Sequence, residues 1–197
     1  LIAGVAVAVG LLMVGQAWGL LRRFRSDSPE GYRYCIQMKV NRRPEALWET
    51  IGDLPEISKY SSALATSTLA AGQTSGVGAV RTCTDSKNRT WSEACTAYTP
   101  NHSYEVQFLT EEPNFPFPVS AMRGGWILEP KDDGSVVEVW WELSPRPRAL
   151  ALFFLPLYAL AVDREFPKVI EAMAASHEAV SGPGSTPKAA RILPVYC

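Results

Sequence analysis

"GVGAVRTC", residues 76–83, is the stretch on which the reading of this chain turns. Two glycines flank a valine, and an apolar run carrying an arginine and a cysteine comes next. A phosphate-binding loop would need G-x-x-x-x-G-K-[ST] between a strand and a helix. No Lys-Ser/Thr is present here, and the residues after the glycines read as a strand. Gly76 and Gly78 therefore read as a tight approach or bulge at the head of that strand. Strand alternation puts Ala79, Arg81 and Cys83 on one face. On the next strand Trp91, Glu93 and Cys95 share a face. The turn signal "DSKN" centres the hairpin on Lys87, which sets Arg81 opposite Glu93, Cys83 opposite Trp91 and Cys95 opposite Ala79. The expectation is a cross-strand Arg81–Glu93 pair and no Cys83–Cys95 disulfide. A solvent-facing pair would contribute about 0–1 kcal/mol. An inward-facing pair would be a polar handle for a ligand, because a buried charge needs its partner. The sequence leaves both orientations open.

Outward from that hairpin the chain reads as strand, two short helices, about six strands and one long helix. "YRYCIQMKV" (32–40) alternates, with Tyr34, Ile36, Met38 and Val40 on one face. "RRPEALWETIGDL" starts a helix with Pro44 in its first turn and Leu47, Trp48 and Ile51 on an apolar face. Pro55 ends it, and "EISKYSS" reads as a second short helix. Strands are expected at about 64–72, 77–85, 90–98, 103–111, 121–130 and 135–143, separated by "DSKN", "TPNH", "PNFPFP" and "KDDG". A helix is expected from about Arg148 to Val180. This is an α+β pattern, an antiparallel sheet that the last helix must cover.

The order "VNRRPEALWETIGDLPEISKY", "GVGAVRTC", "WSEAC", "YTPNHSYEVQF", "GGWILEPKDDGSVVEVWWEL" and a long helix resembles the START-like or SRPBCC superfamily over residues 32–180. Polyketide cyclases, lipid-transfer START domains and coenzyme Q-binding proteins share that helix-grip fold. The resemblance implies a sheet curled around the last helix and an enclosed apolar cavity. It also implies that several core-like stripes line the cavity. Candidate ligand contacts are then Arg81, Glu93, Tyr104, Phe108, Trp126, Trp141, Phe166, Ile170, Met173 and His177. Val137, Val139, Trp141 and Leu143 are expected to face the cavity from the last strand. Phe166, Ile170, Met173 and His177 follow one helical face. His177 could act as a general base in a cyclase-like reaction; otherwise it is a partly exposed histidine near a helix end. His102 falls in a turn.

The ends lie outside that pattern. Leu1–Leu21 contains no charged residue, and a helix of that length spans roughly 30 Å, the depth of a bilayer core. No basic residue precedes the run and "RRFR" comes after it, unlike a secretory signal. The reading is a single-pass anchor over 1–21, a juxtamembrane linker over 22–31, the START-like domain over 32–180 and a flexible tail over 181–197. By the positive-inside rule Arg22, Arg23 and Arg25 place the domain on the cytoplasmic side, at a cell inner membrane. Gly15 and Gly19 form a GxxxG, a spacing that lets helices approach closely. Trp18 sits at the interface. "ALALFFLPLYALAV" (149–162) is too short to span, and its Pro156 is expected to bend it. It could start the grip helix, dip into the membrane or cover the cavity mouth. Phe153 and Phe154 there, and Phe115 and Phe117 on the Pro-rich loop, are candidate membrane or partner contacts beside Gly15, Trp18, Gly19, Arg22 and Arg23.

Composition sets the remaining bounds. A net charge of −1 gives no global field for nucleic acid. With 47% hydrophobic and 20% charged residues the chain is globular in average. The four cysteines form no CxxC, and with two histidines a metal site is poorly supported; a cytoplasmic domain would keep the thiols reduced. No metal or cofactor is expected. The function expected is a membrane-anchored domain that binds a hydrophobic molecule, such as a lipid, quinone, isoprenoid or pigment. An alternative is an accessory subunit of a larger membrane complex, contacted through the GxxxG helix and the tail. A third is a cyclase-type enzyme, against which the missing acid–base set counts.

Overall fold

A computed structural model describes residues 19–25 and 31–176. The elements run β1 (Tyr32–Val40), α1 (Pro44–Ile51), a 3-10 turn (Leu54–Glu56), α2 (Ile57–Tyr60), β2 (Leu64–Leu69), β3 (Val80–Asp85), β4 (Thr90–Thr99), β5 (Ser103–Phe108), β6 (Val119–Lys131), β7 (Gly134–Pro145), a second 3-10 turn (Arg148–Leu150) and α3 (Ala151–Ser176). The strands form one sheet in the order β1-β7-β6-β5-β4-β3-β2. Every neighbouring pair is antiparallel. β2 to β7 succeed one another as a meander, and β1 returns to pair with β7. Helix α3 packs against β1, β7 and both short helices. This is the helix-grip arrangement.

Alternation fixes which residues face the helix. Tyr34, Ile36 and Met38 lie opposite Trp141, Val139 and Val137, and all six are buried. Leu47, Trp48 and Ile51 of α1 are buried as their spacing predicts. Each such side chain contributes about 1.5–3 kcal/mol through burial. The outer face is not wholly polar. Trp140 is buried there under the guanidinium groups of Arg33 and Arg123, 4.4 and 5.6 Å from its ring. Gly125 makes the room: a Cβ would come within 2.7 Å of the Tyr104 carbonyl and 2.8 Å of Trp140 Nε1.

Two expectations are corrected, on where β3 begins and on the thiols. β3 begins at Val80 rather than residue 77, because Gly78 takes a positive φ of 85° and holds the chain in a turn until there. Helix α3 is continuous through Pro156 and Pro167. A proline removes one N–H from the helix ladder, and Pro156 is buried in the core, so packing carries the helix across it. Cys83 and Cys95 are free and buried, but Cys35 is disulfide-bonded. Reduced thiols throughout is therefore wrong at Cys35, whose partner lies outside the described residues.

Residues 19–25 are docked on the domain. Leu20, Leu21 and Phe24 pack against the core. Arg25 and Arg33 exchange backbone hydrogen bonds of 2.9 and 2.7 Å, and the Phe24 ring lies 4.8 Å from Tyr34. Arg23 Nη1 meets Asp163 Oδ2 of α3 at 2.5 Å, and the Tyr34 hydroxyl donates to the same carboxylate. The expected spanning helix lies mainly outside the described residues, as does the expected tail. Among the described residues no helix is long and apolar enough to cross a membrane.

Candidate functional site

The β3–β4 hairpin forms in the register that its turn dictates. Arg81 pairs with Glu93 and Cys83 with Trp91, while the Cys95 N–H donates to the Ala79 carbonyl at 2.8 Å. The structure settles the orientation that alternation left open. Arg81 is 5% exposed and Glu93 4%, so the pair faces the interior. Arg81 Nη2 donates to Glu93 Oε2, and Nη1 donates to the Leu54 carbonyl at 2.5 Å. Trp91 Nε1 donates to Glu93 Oε1 at 2.7 Å. The 3-10 turn that carries Leu54 is held in place by Ser75, whose hydroxyl accepts from the Leu54 N–H at 2.9 Å. Arg81 Nε is buried with no partner among the described residues.

Burial alone would weaken the guanidinium's hold on its proton. The adjacent Glu93 carboxylate more than offsets this, and the net shift is upward. Burial pushes the Cys83 thiol up to about 12, with Glu93 adding to it, so that thiol is no nucleophile at neutral pH. Burial raises the Tyr104 phenol as well. The three groups stay protonated, and their wall carries one buried ion pair.

That wall borders a cavity of about 290 Å³, at the lower end of the range for small-molecule sites. Its sides are aromatic and aliphatic. Trp141 meets Phe166 of α3 edge to face and Trp126 lies tilted to it, at 4.5 and 6.1 Å between centroids, and Trp91 meets Phe117 at 5.5 Å. Val106, Phe108, Met122 and Tyr158 add to the apolar lining. At the rim, Glu165 of α3 accepts from Ser61 Oγ at 3.0 Å, Ser62 Oγ at 3.0 Å and the Ala63 N–H at 3.2 Å. Burial would raise this carboxyl, but those donors hold it below the usual carboxylate range. Asp85, paired with Leu64 next to the same loop, is lowered in the same manner by Arg89 and the Lys87 N–H. Among the described residues no three His, Cys, Asp or Glu side chains are placed to share a metal. The arrangement suits binding an apolar molecule with one end at a charge pair.

Seven of the residues singled out from the sequence meet on this cavity: Arg81, Glu93, Tyr104, Phe108, Trp126, Trp141 and Phe166. Ile170 and Met173 do not. They are buried farther along α3, where the cavity has ended and the helix packs directly into the core. His177 lies outside the described residues, as do Gly15 and Trp18. His102 is exposed in its turn, its Nδ1 3.0 Å from the Leu128 carbonyl.

Phe115 and Phe117, candidate membrane or partner contacts, are half-buried and edge to face at 5.5 Å. Phe117 turns into the cavity because Trp91 offers it an aromatic partner. Phe154 is likewise half-buried, 5.7 Å from Tyr158, whereas Phe153 is 72% exposed. Arg22 is exposed, Arg23 is bound to Asp163, and Gly19 stands in open space. Sequence reasoning missed Tyr158 and Glu165 as cavity groups. Tyr158 was hidden in a run read as uniformly apolar, and Glu165 depends on the distant Ser61–Ala63 loop. Trp91 was legible, since it shares a strand face with Glu93.

Solved structures share this architecture. The protein XoxI from Bacillus cereus superposes with a TM-score of 0.58 at 17% identity, covering 77% of this chain and 99% of its own. Ara h 8.0201 gives 0.58 at 16% identity, covering 76% of this chain and 99% of its own. The major latex-like protein 151 of Panax ginseng gives 0.57 at 15%, covering 75% and 98%. At such identities the likeness shows the fold. No curated protein matches the sequence significantly. A family profile does match, over residues 36–178, which takes in the sheet from the middle of β1 onward, the charge pair and all of α3. The chain thus belongs to the family described as polyketide cyclase / dehydrase and lipid transport.

Proposed function

We propose that this protein binds a hydrophobic small molecule in the cavity between the sheet and α3, and that residues 1–21 hold it to a bilayer. The observation that carries the reading is the cavity itself, about 290 Å³ with aromatic walls and one buried ion pair. Apolar walls supply affinity by burial, and a polar group at one end fixes orientation. Had Trp126, Trp141 and Phe166 filled the space, a scaffold role would be favoured. They pack on one another and leave the cavity open beside them.

The test is native mass spectrometry of the full chain from mild detergent, with extraction and identification of what it carries. The chain is expected to hold one apolar molecule per copy. Val106→Trp, which fills the cavity from β5, is expected to fold and carry none. A wild-type chain that carries no ligand, and that takes up a fluorescent fatty acid no better than Val106→Trp, overturns the reading.

We place the domain on the cytoplasmic side of an inner membrane. Arg22, Arg23 and Arg25 after the apolar run support this. The disulfide at Cys35 speaks against it, since the cytosol keeps thiols reduced. A membrane-impermeant maleimide decides between them. Asp133→Cys, in the exposed β6–β7 turn, is expected to resist the reagent in intact spheroplasts and react after lysis. Labelling before lysis would reverse the topology.

A further inference from the structure

The first half of α3 carries apolar side chains on its outer surface. Leu150, Phe153, Leu157 and Leu160 recur at i, i+3, i+7 and i+10, one helical face, and all are exposed. The opposite face of the same turns places Leu155, Ala159 and Val162 in the core. Beyond Leu160 the outer face becomes charged, with Arg164, Lys168 and Glu171 exposed. A contiguous apolar patch of this kind marks a contact surface.

Two further observations identify the contact. The chain arrives at this patch: residues 19–25 are fastened to α3 by Arg23–Asp163, one turn past Leu160, and every residue before Gly19 is uncharged. The patch is also flanked along the chain by cations. Arg146 and Arg148 precede it and Arg164 comes after it, all three exposed. Apolar side chains bordered by arginines match the interface of an anionic bilayer, with acyl chains below and phosphates at the edge.

We infer that the first half of α3 lies in the interface of an anionic membrane, with Phe153 and Leu157 among the acyl chains. The inference rests on the proposed anchor at residues 1–21. It also bears on loading, because Tyr158 and Ala161, neighbours of Leu157 and Leu160 in the helix, line the cavity. A docked α3 brings that side of the cavity to the lipid.

The experiment uses the full chain in vesicles of phosphatidylcholine with phosphatidylglycerol, and of phosphatidylcholine alone. Nitroxides are attached at Phe153→Cys, Leu157→Cys and, as a control, Asp133→Cys. The control sits at the other end of the helix: Arg42 bonds both Ala174 of α3 and Ser135 beside the β6–β7 turn. Collision with oxygen reports lipid, and collision with a water-soluble nickel chelate reports solvent. Oxygen is expected to exceed nickel several-fold at positions 153 and 157, with the reverse at 133. Replacing Arg146 and Arg148 by Glu, or removing the anionic lipid, is expected to lower the ratio at 153. Nickel reaching 153 and 157 as freely as 133, in chains that resist carbonate extraction, overturns the docked helix and leaves the anchor standing. Exclusion of both probes means that protein covers the face, and also overturns it. A chain that carbonate releases from the vesicles overturns anchor and docked helix together.

Discussion

Arg81 and Glu93 lie inside the sheet at 5% and 4% exposure, while Phe153 and Leu157 stand outside α3 at 72% and 68%. Both places invert the usual partition of polar and apolar side chains, and they do so for different reasons. The inner pair is compensated within the fold. Each charge meets the other, and Leu54 and Trp91 satisfy further lone pairs and protons. The outer stripe has no such compensation among the described residues, which leave it uncovered. A buried ion pair is poor evidence for added stability, and an exposed leucine contributes little to folding. The two regions therefore point to function rather than to stability: one to what enters the cavity, the other to where the domain rests.

The largest effect should come from breaking the inner pair. Glu93→Leu leaves Arg81 charged, buried and without its carboxylate, and is expected to cost about 3–5 kcal/mol in urea unfolding. Replacing both, with Arg81→Met and Glu93→Leu, removes the uncompensated charge and should recover most of that loss. A double variant as unstable as the single one would show that the pair holds the hairpin and the Leu54 turn together, beyond neutralising itself.

One helix allows the next comparison. Leu155 is fully buried and Leu157, two positions on, is exposed. Leu155→Ala is expected to cost about 2–5 kcal/mol, and Leu157→Ala no more than about 0.5 kcal/mol in detergent-free buffer. A cost near that of Leu155 at position 157 would mean that the outer face packs against part of the folded chain.

The smallest effect belongs to Glu165, a carboxylate between the two extremes, bound by hydroxyls and a backbone N–H at the cavity rim. Its folded pKa is lowered. Its contribution is therefore complete above the unfolded carboxylate value of about 4.3 and is lost as the pH falls through the folded one. The stability gap between wild type and Glu165→Gln should stay constant from neutral pH to about 5 and close in acid. A gap that widened in acid would reverse the assigned sign.

Much of the fold was legible from local rules. The turn at Lys87 set the Arg81–Glu93 register to the residue. Alternation assigned the inner faces of β1 and β7, and Pro44 marked the first turn of α1. These are properties of a few neighbouring residues, so the sequence alone determines them. Which way the Arg81–Glu93 face points was not legible, because both faces of a strand look alike until a helix is laid on one of them. Nor was the length of the cavity. The stripe Phe166, Ile170 and Met173 has one periodicity, and only the approach of the sheet shows that the cavity stops at Phe166. The run 149–162 is apolar all round, so its period carried no signal to separate Leu155 from Leu157. Phe117 turned inward because Trp91, 26 positions earlier, was there to receive it. Register, helix and strand arise from the chain's local chemistry. Burial is a relation between distant segments, and the tertiary structure alone decides it.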